Sequence, residues 1–365
     1  MKKVGIVSMQ RVPNYGSFLQ AYALSHIISE LGYEVEFIDY KYGTPIVPYS
    51  KWKYFIFRIK NIPFIAFMLD FFRVYVFRER KFAYLYRLKY LSLLNIGYKH
   101  TYHKPIDSLV IGSDEVFNCT QNALNVGFSP MLFGKGLSSK RIISYAASFG
   151  YTTFAQLEKY KLVSTVKAYI KNFDAISVRD QNSYDIINNF NLEKEINVNL
   201  DPVFMYDFTL STSDKHFAER YAIIYTYTSR VYSKEEQDII LKFCQTHELA
   251  LFTIGDALPW VPNSIEAAPV EALEWIKKAE FIITDTFHGT VFSIKYNKNF
   301  AVMVREDNKN KLQDLLIRLK QESRIISEYG MLDEMYATIP DYSITNEIIK
   351  KEKVLCRNYL KNNLC

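Results

Sequence analysis

The chain opens with MKKVGIVSMQRVPNYGSFLQAYALSHIISELGYEVEFIDY over residues 1–40. Its apolar run at Val4–Ser8 predicts a buried strand. Phe18–Leu31 predicts a helix that ends at Gly32, because glycine is the residue that most often follows a helix C-terminus. Glu34–Tyr40 predicts the next strand. A strand, a helix and a second strand in this order are typical of an α/β fold with a mainly parallel sheet.

Strand and helix patterns keep alternating along the rest of the chain and fall into two sets. The first set predicts an N-terminal α/β domain over residues 1–205, and the second predicts a C-terminal α/β domain over residues 206–343. A final helix is predicted over residues 344–365 and could cross back to the N-terminal domain. Ligands of parallel α/β sheets bind at the carboxyl ends of the strands, so we predict a site in a cleft between the two domains.

The composition indicates an ordinary globular protein. Hydrophobic residues make up 49% of the 365 residues and charged residues 23%, which excludes a disordered or collagen-like chain. The net charge of +6 is too small to indicate a nucleic-acid partner.

The four cysteines form no CxxC pair, and no pair of histidines has ligand spacing, so we predict no metal site. The sequence shows neither a signal peptide nor an apolar run of ~20 residues, which predicts a cytoplasmic protein.

One window, residues 51–90, differs in charge from the rest of the chain. It holds ten Lys or Arg, two acids and fourteen aromatic residues, and its net charge is +8. One interpretation is a basic, aromatic helical insertion near residues 50–100 that rests on anionic lipid headgroups, or meets a lipid-linked substrate. The other is a pair of helices that cap the domain and cover apolar surface with Lys and Arg stems. The sequence leaves both interpretations open.

The turn between the first strand and the first helix is a candidate ligand site. It contains Asn14, Tyr15, Gly16 and Ser17. Gly16 permits a tight turn, and the amides of a helix start can hold an anion. A plain strand–helix turn capped by Asn14 or Ser17 is an equal alternative. The turn lacks the GxGxxG pattern, so no dinucleotide-binding site is predicted.

A second candidate follows the apolar strand in residues 111–118, IGSDEVFN. The carboxylates of Asp114 and Glu115 could act as a base, or accept a hydrogen bond from a sugar hydroxyl. Taken alone, the segment favours an ordinary turn with an Asx cap.

The third candidate, residues 175–180 (AISVRD), delivers Arg179 at the carboxyl end of a strand. A guanidinium can bind a carboxylate or a phosphate through two parallel hydrogen bonds. The alternative is an ion pair with Asp180 or another acid.

The fourth candidate, residues 284–290 (TDTFHGT), places His288 in a polar strand–helix turn. The following helix is predicted to begin at about Thr290. An imidazole at a helix start can bind a phosphate or transfer a proton. The alternative is a structural histidine with ordinary hydrogen bonds.

The chain resembles the polysaccharide pyruvyl transferase family in seven segments that follow one another in order. The segments are NYGSFLQAYAL, LGYEVEFIDY, IGSDEVFN, SYAASFG, ISVRD, LDPVF and TDTFHGTVFSIKYNKNFAV. The resemblance extends from the first strand to about Leu319. Glu115 and Phe117 stand where the family favours Gln and Trp, and Asp180 stands where it favours Glu. These departures concern the acceptor more than the class of reaction.

The resemblance implies a fold like that of the two-domain GT-B glycosyltransferases. It also implies an enzyme that transfers the pyruvyl group of phosphoenolpyruvate to a sugar, usually as a cyclic ketal on two hydroxyls. The acceptor would be a unit of a cell-surface or capsular polysaccharide, often lipid-linked. That chemistry requires no metal and no organic cofactor.

The resemblance suggests roles for single residues. Arg179 and His288 match positions that hold the donor, and with Asp114 they are the predicted catalytic residues. Gly289 and Thr290 would give helix-start contacts to the same anion as His288, and Arg305 and Lys311 are weaker donor-side candidates. The acceptor-side candidates are Asn14, Tyr15, Gly16, Asp114 and Glu115.

Two rival functions remain at the level of the sequence. A GT-B glycosyltransferase that uses a nucleotide-sugar would share the fold, and its diphosphate could bind at the His288 turn. A non-catalytic member that recognises a glycan or a lipid would keep the fold without the chemistry.

Overall fold

The computed structural model describes residues 1–60, 65, 68, 81–210, 220–227, 230–255, 257–305 and 308–364, with the side chains at 53, 54, 57, 58, 60 and 81 left aside. The chain forms two compact units. The first comprises Met1–Tyr206 together with Val354–Cys365, and the second comprises Asp207–Lys353. Each unit holds one six-stranded sheet in which all neighbouring strands run parallel. The prediction of an α/β fold with parallel sheets is confirmed.

The sheet of the first unit has the strand order β2-β1-β3-β4-β5-β6. Its strands are β1 (Lys3–Val7), β2 (Glu34–Phe37), β3 (Ser108–Asp114), β4 (Arg141–Ala147), β5 (Ile176–Val178) and β6 (Ile196–Val198). Parallel neighbours require crossover connections, and helices supply most of them. These helices are α1 (Tyr15–Glu30), α2 (Lys51–Lys60), α3 (Lys81–Leu85), α4 (Phe154–Lys159), α5 (Val163–Ile170) and α6 (Gln181–Asn188). A further short helix, α7 (Pro202–Met205), follows β6.

The sheet of the second unit has the order β12-β11-β10-β7-β8-β9. Its strands are β7 (Tyr221–Tyr225), β8 (Ala250–Ile254), β9 (Asn263–Ile265), β10 (Phe281–Thr284), β11 (Asn299–Met303) and β12 (Ile325–Ile326). The helices that follow are α8 (Lys234–Thr246), α9 (Pro269–Lys278), α10 (Phe287–Lys295), α11 (Lys309–Arg318), α12 (Leu332–Ala337) and α13 (Ser343–Asn363). The short strands β9 and β12 are not among the elements that the sequence predicts.

Two helices begin earlier than predicted because side chains cap them. α1 begins at Tyr15 rather than Phe18, since the Asn14 side chain accepts hydrogen bonds from the first free N–H groups. α10 begins at Phe287 rather than Thr290, and Thr286 caps it in the same way. Both caps lie inside the motifs that the sequence identifies as candidate sites.

The candidate sites lie at the ends of buried central strands. Every residue of β3 and every residue of β10 is buried. β3 lies between β1 and β4, and β10 lies between β7 and β11. A strand that is buried on both faces and paired on both edges holds its carboxyl end firmly. Residues at those two ends therefore have well-fixed positions.

The end of the last helix is part of the first unit. Tyr359 donates a hydrogen bond to the carbonyl of Ser144 at 2.8 Å, and Ser108 donates to the carbonyl of Leu364 at 2.8 Å. No helix among the described residues is long and apolar enough to span a membrane.

The predicted basic insertion is helical at Lys51–Lys60 and at Lys81–Leu85. After α3 the backbone continues as a π-helical turn at Tyr86–Tyr90 and a 3-10 turn at Leu91–Leu94. Residues 61–64, 66–67 and 69–80 of the insertion lie outside the described residues.

Candidate functional site

Asp114 is the centre of a polar cluster in the first unit, called here the Asp114 cluster. It is the last residue of β3, and its side chain is 11% exposed. Its Oδ2 accepts a hydrogen bond from Ser17 Oγ at 2.7 Å, and its Oδ1 accepts one from the Glu115 N–H at 2.9 Å. Its φ of +77° is rare for a residue with a side chain, and such conformations are enriched at functional sites.

Arg179 joins the cluster from the end of β5. Its side chain is almost fully buried, and its Nη1 donates to Asp201 Oδ2 at 2.9 Å. Its Nη2 lies 3.8 Å from Asp114 Oδ1. Burial acts to lower the pKa of Arg179, but nearby carboxylates, with Asp201 and Asp114 foremost, outweigh burial and raise the pKa above its usual value. Arg179 is therefore a charged group held between acids.

Glu115 is positioned by a second motif of the sequence. Its Oε2 accepts a hydrogen bond from Asn118 Nδ2 at 2.8 Å, and Asn118 Oδ1 accepts one from Thr152 Oγ1 at 2.8 Å. Gly150, in the SYAASFG segment, has a φ of +58°, and a Cβ there would lie 2.4 Å from Glu115 Oε2. The segment needs glycine here because any side chain would displace Glu115.

The turn before α1 contributes to the Asp114 cluster mainly by positioning Ser17. Asn14 Oδ1 accepts hydrogen bonds from the N–H groups of Gly16 at 2.7 Å and Ser17 at 3.2 Å. This cap directs Ser17 towards Asp114. The Tyr15 ring is buried against the Phe82 ring, with centroids 4.2 Å apart. The predicted acceptor-side residues of the first unit thus converge around one carboxylate.

The second unit has its own polar cluster around Asp285, called here the Asp285 cluster. Asp285 follows β10 and is fully buried. Its Oδ1 accepts a hydrogen bond from Thr226 Oγ1 at 2.7 Å. Its Oδ2 lies 3.2 Å from Arg305 Nε and 3.5 Å from Arg230 Nε. Burial raises the pKa of Asp285, while Thr226 and the two guanidinium groups act in the opposite direction.

Arg305 is held in place and still reaches solvent. Its Nη2 donates to the Tyr329 hydroxyl at 3.2 Å and lies 3.8 Å from Glu236 Oε1, and its guanidinium carbon lies 5.4 Å from the centre of the Tyr232 ring. Its side chain is 25% exposed. Among the residues that the structure describes, these contacts engage Nε and Nη2, so Nη1 keeps two N–H donors for a ligand.

His288 lies in the first turn of α10. It is 5% exposed, and its ring stands edge-on to the Phe287 ring. The N–H of Gly289 donates to Thr286 Oγ1 at 3.0 Å, and the N–H of Thr290 donates to the Thr286 carbonyl at 3.2 Å. Both N–H groups, predicted as contacts for the donor anion, are thus already engaged by the cap. Gly289 and Thr290 shape the turn instead of offering open donors.

Several residues of the clusters have no role in the sequence interpretation, among them Asp201, Arg230 and Asp285. Asp201 and Asp285 lie in two of the seven family segments, LDPVF and TDTFHGT, and each follows soon after a strand. That position in the sequence is the feature that could have identified them as site residues. Lys311 is buried in the first turn of α11, and its donor-side role stays a prediction.

The family model for polysaccharide pyruvyl transferases matches residues 14–308. The chain belongs to this family. The resemblance stated from the seven segments is thereby confirmed. A search of curated protein sequences finds no match.

Several solved structures are similar to this chain at low sequence identity. S. aureus MnaA in complex with UDP is 12% identical, with 97% of each chain covered and a TM-score of 0.45. The UDP-GlcNAc 2-epimerase from Neisseria meningitidis bound to UDP-GlcNAc is 12% identical, with 97% and 100% covered and a TM-score of 0.47. The glycosyltransferase SnogD from Streptomyces nogalater is 14% identical, with 98% and 94% covered and a TM-score of 0.41.

Proposed function

We propose that the chain transfers the pyruvyl group of phosphoenolpyruvate to a polysaccharide sugar and closes a ketal on two of its hydroxyls. Membership of the pyruvyl transferase family supports a transferase. The observation that carries the assignment of substrates is the different charge of the two clusters. The Asp114 cluster gathers several carboxylates around one buried guanidinium, whereas the Asp285 cluster has two arginine side chains, 18% and 25% exposed, beside the buried carboxylate of Asp285 and the partly exposed carboxylate of Glu236.

The Asp285 cluster suits the donor. Phosphoenolpyruvate carries a carboxylate and a phosphate, and guanidinium groups bind such anions through paired, charge-assisted hydrogen bonds. Arg305 and Arg230 would contact the anion, and Asp285 beneath them would hold both side chains in position. His288, at the start of α10, would lie where the helix dipole favours a negative ligand.

The Asp114 cluster suits a sugar acceptor. Two hydrogen bonds hold the Asp114 carboxylate in place, and a carboxylate can accept the proton of a hydroxyl. Arg179 is enclosed by Asp201 and Asp114, so its contacts favour a positioning role over a grip on the donor anion. Glu115 is a second acceptor for sugar hydroxyls at the same strand end.

The proposed reaction can be written with all its atoms. A proton, for which His288 is our candidate donor, adds to the methylene carbon of phosphoenolpyruvate and makes C2 electrophilic. One sugar hydroxyl attacks C2 and loses its proton to Asp114. The bond from C2 to the phosphate oxygen then breaks, and inorganic phosphate leaves. The second hydroxyl bonds to C2, gives its proton to the released phosphate and closes the ketal.

Within this proposal the enzyme is cytoplasmic, and its acceptor is a polysaccharide unit carried on a lipid. The basic charge of residues 51–90 supports such an acceptor, because the phosphate groups of a lipid carrier are anionic.

Thermal unfolding with and without phosphoenolpyruvate tests the donor. We expect the midpoint of unfolding to rise with phosphoenolpyruvate and not with UDP-sugars, because a ligand that binds only the folded state stabilises it. Arg305→Lys should abolish most of this rise, since an ammonium keeps a charge beside Asp285 but loses the fork of donors. Arg318→Lys, which alters the ion pair with Glu352 in the same unit, should leave the rise intact.

A rise with a UDP-sugar and none with phosphoenolpyruvate would contradict the proposal and favour a nucleotide-sugar glycosyltransferase. No rise with either ligand, together with no pyruvylated product by mass spectrometry of an acceptor mixture, would favour a non-catalytic glycan-binding protein.

A further inference from the structure

One face of α2 presents large apolar side chains to solvent. Trp52 is 68% exposed, Phe55 is 55% exposed and Ile59 is 37% exposed. At 3.6 residues per turn these three residues share one side of the helix, and the Trp52 and Phe55 rings stack with centroids 5.9 Å apart. Three neighbouring apolar side chains in water indicate a surface made for contact.

A second exposed group lies in the π-helical turn after α3. Arg87, Leu88 and Lys89 are all exposed, and Leu88 is 52% exposed. Apolar and cationic side chains alternate here in the way that a lipid interface selects: the apolar groups enter the acyl boundary and the cations meet the headgroups. The net charge of +8 over residues 51–90 has the sign that an anionic bilayer attracts.

The buried side of α3 and of the π-helical turn contacts the residues before α1. The Phe82 ring packs against the Tyr15 ring, and the buried Tyr86 donates a hydrogen bond to the Gln10 carbonyl at 2.8 Å. Tyr15 belongs to the turn that directs Ser17 to Asp114. A surface that rests on the bilayer would therefore hold the proposed acceptor site close to lipid-borne sugars.

We propose that the exposed residues of these two segments, Trp52, Phe55, Ile59, Arg87, Leu88 and Lys89, form an interfacial surface that binds anionic lipid bilayers. Its charge favours this occupant over a second copy of the chain, because two copies would bring like charges together. The surface lies on the bilayer without crossing it. Its link to the acceptor rests on the proposed function, but lipid binding can be measured without any turnover.

Co-sedimentation of the full chain with vesicles tests the surface. Vesicles of phosphatidylglycerol and phosphatidylcholine should bind the protein, and vesicles of phosphatidylcholine alone should bind it weakly. The emission of Trp52, the exposed member of three tryptophans, should shift to the blue with anionic vesicles only.

Two pairs of variants separate the apolar part from the charged part. Trp52→Ser with Phe55→Ser should weaken partitioning at least about tenfold, because the apolar anchors are lost. Arg87→Glu with Lys89→Glu should weaken partitioning by about 30-fold or more, since each cation near an anionic surface contributes about fivefold to binding.

The matched control for the apolar variants is Ile339→Ser, a change at an exposed apolar residue of the other unit. The matched control for the charged variants is Lys350→Glu with Lys351→Glu, a change at exposed cations of α13.

Equal binding to neutral and anionic vesicles, or equal loss in the controls, would overturn the proposal. So would binding to neither vesicle, or a concentration-dependent dimer that the Trp52 and Phe55 changes abolish without vesicles. None of these results bears on stabilisation by phosphoenolpyruvate, so the surface and the proposed reaction can fail separately.

Discussion

Asp114 accepts hydrogen bonds from Ser17 and from the Glu115 N–H, and it lies near the Arg179 guanidinium. Asp114→Asn keeps an acceptor oxygen for the Glu115 N–H, and its amide NH₂ can donate to Ser17 Oγ instead of accepting from it, but the variant lacks the basic carboxylate. We expect kcat for ketal formation to fall by about 10²–10⁴, the usual contribution of a general base, with little change in the unfolding midpoint or in stabilisation by phosphoenolpyruvate.

Asp107→Asn makes the same change near the amino end of the same strand, where Asp107 accepts from the Lys3 N–H, and it should leave kcat unchanged. An Asp114→Asn variant with full kcat would remove Asp114 from the mechanism.

A substitution at Arg179 tests whether this residue positions the Asp114 carboxylate. Arg179→Lys keeps the charge between Asp201 and Asp114 but cannot bridge both carboxylates through separate nitrogens. If Arg179 positions Asp114, kcat should fall about tenfold to a hundredfold, while the KM for phosphoenolpyruvate stays the same. A large rise in that KM with kcat preserved would instead assign Arg179 to the donor.

At the scale of single elements, the start of α10 depends on its cap and on Gly289. A Cβ at Gly289 would lie 2.2 Å from Thr284 Oγ1 and 2.8 Å from Thr286 Oγ1, so Gly289→Ala must displace the turn. We expect a loss of about 1–3 kcal/mol in the free energy of unfolding, the range for overpacking, together with loss of stabilisation by phosphoenolpyruvate.

Thr286→Ala should reduce the free energy of unfolding by about 1 kcal/mol, because it removes the same cap without a clash. Thr153→Ala removes an equivalent cap from α4 in the first unit and should reduce stability similarly while leaving phosphoenolpyruvate binding intact. If both caps affected binding equally, the turn at His288 would have no special part in holding the donor.

The last helix offers a second test at this scale. Leu360 is fully buried, whereas Leu355 on the same helix is 59% exposed. Leu360→Ala should therefore lower the free energy of unfolding by about 2–5 kcal/mol, and Leu355→Ala by less than about 0.5 kcal/mol. Urea unfolding of both variants measures the difference. Equal values would show that the end of α13 does not stabilise the first unit.

For the whole molecule, Lys295 links stability to pH. Burial and the charge of Lys353 lower the pKa of Lys295 to about 8, from 10.5 in the absence of the fold, although Asp207 acts in the opposite direction. Between these two values the unfolded chain binds more protons than the folded chain, so the free energy of unfolding rises with pH. The penalty for burying the charged form is present in full below pH 8.

Lys295→Met keeps the length of the side chain without its charge. The variant should be more stable than the parent at pH 7 by about 2–3 kcal/mol, and the difference should shrink as the pH rises towards 10. Urea unfolding at both pH values measures it. Lys234→Met, a change at an exposed side chain that pairs with Asp238, should give no such pH-dependent difference.

Much of the fold follows from local pattern. Alternating apolar strands and amphipathic helices specify an α/β chain, because burial requires those spacings in each element separately. The ends of the helices are harder to predict from the sequence, and α1 and α10 begin three residues earlier than predicted. A helix start depends on a cap, which is a contact between a side chain and N–H groups, and the spacing of apolar residues contains no information about that contact. Sequence pattern near Phe154–Lys171 predicts one helix, but the structure has two, with Lys161 between them at a φ of +57°.

The sequence by itself determined the class of fold, the family and the four polar segments, because each depends on residues close together in the chain. Only the tertiary structure decided which of their groups meet. Asp201 reaches Arg179, and Arg305 reaches Asp285, because parallel pairing brings the carboxyl ends of separate strands to one edge of a sheet. The order in which strands pair is a property of the whole chain's packing, and no single segment encodes it.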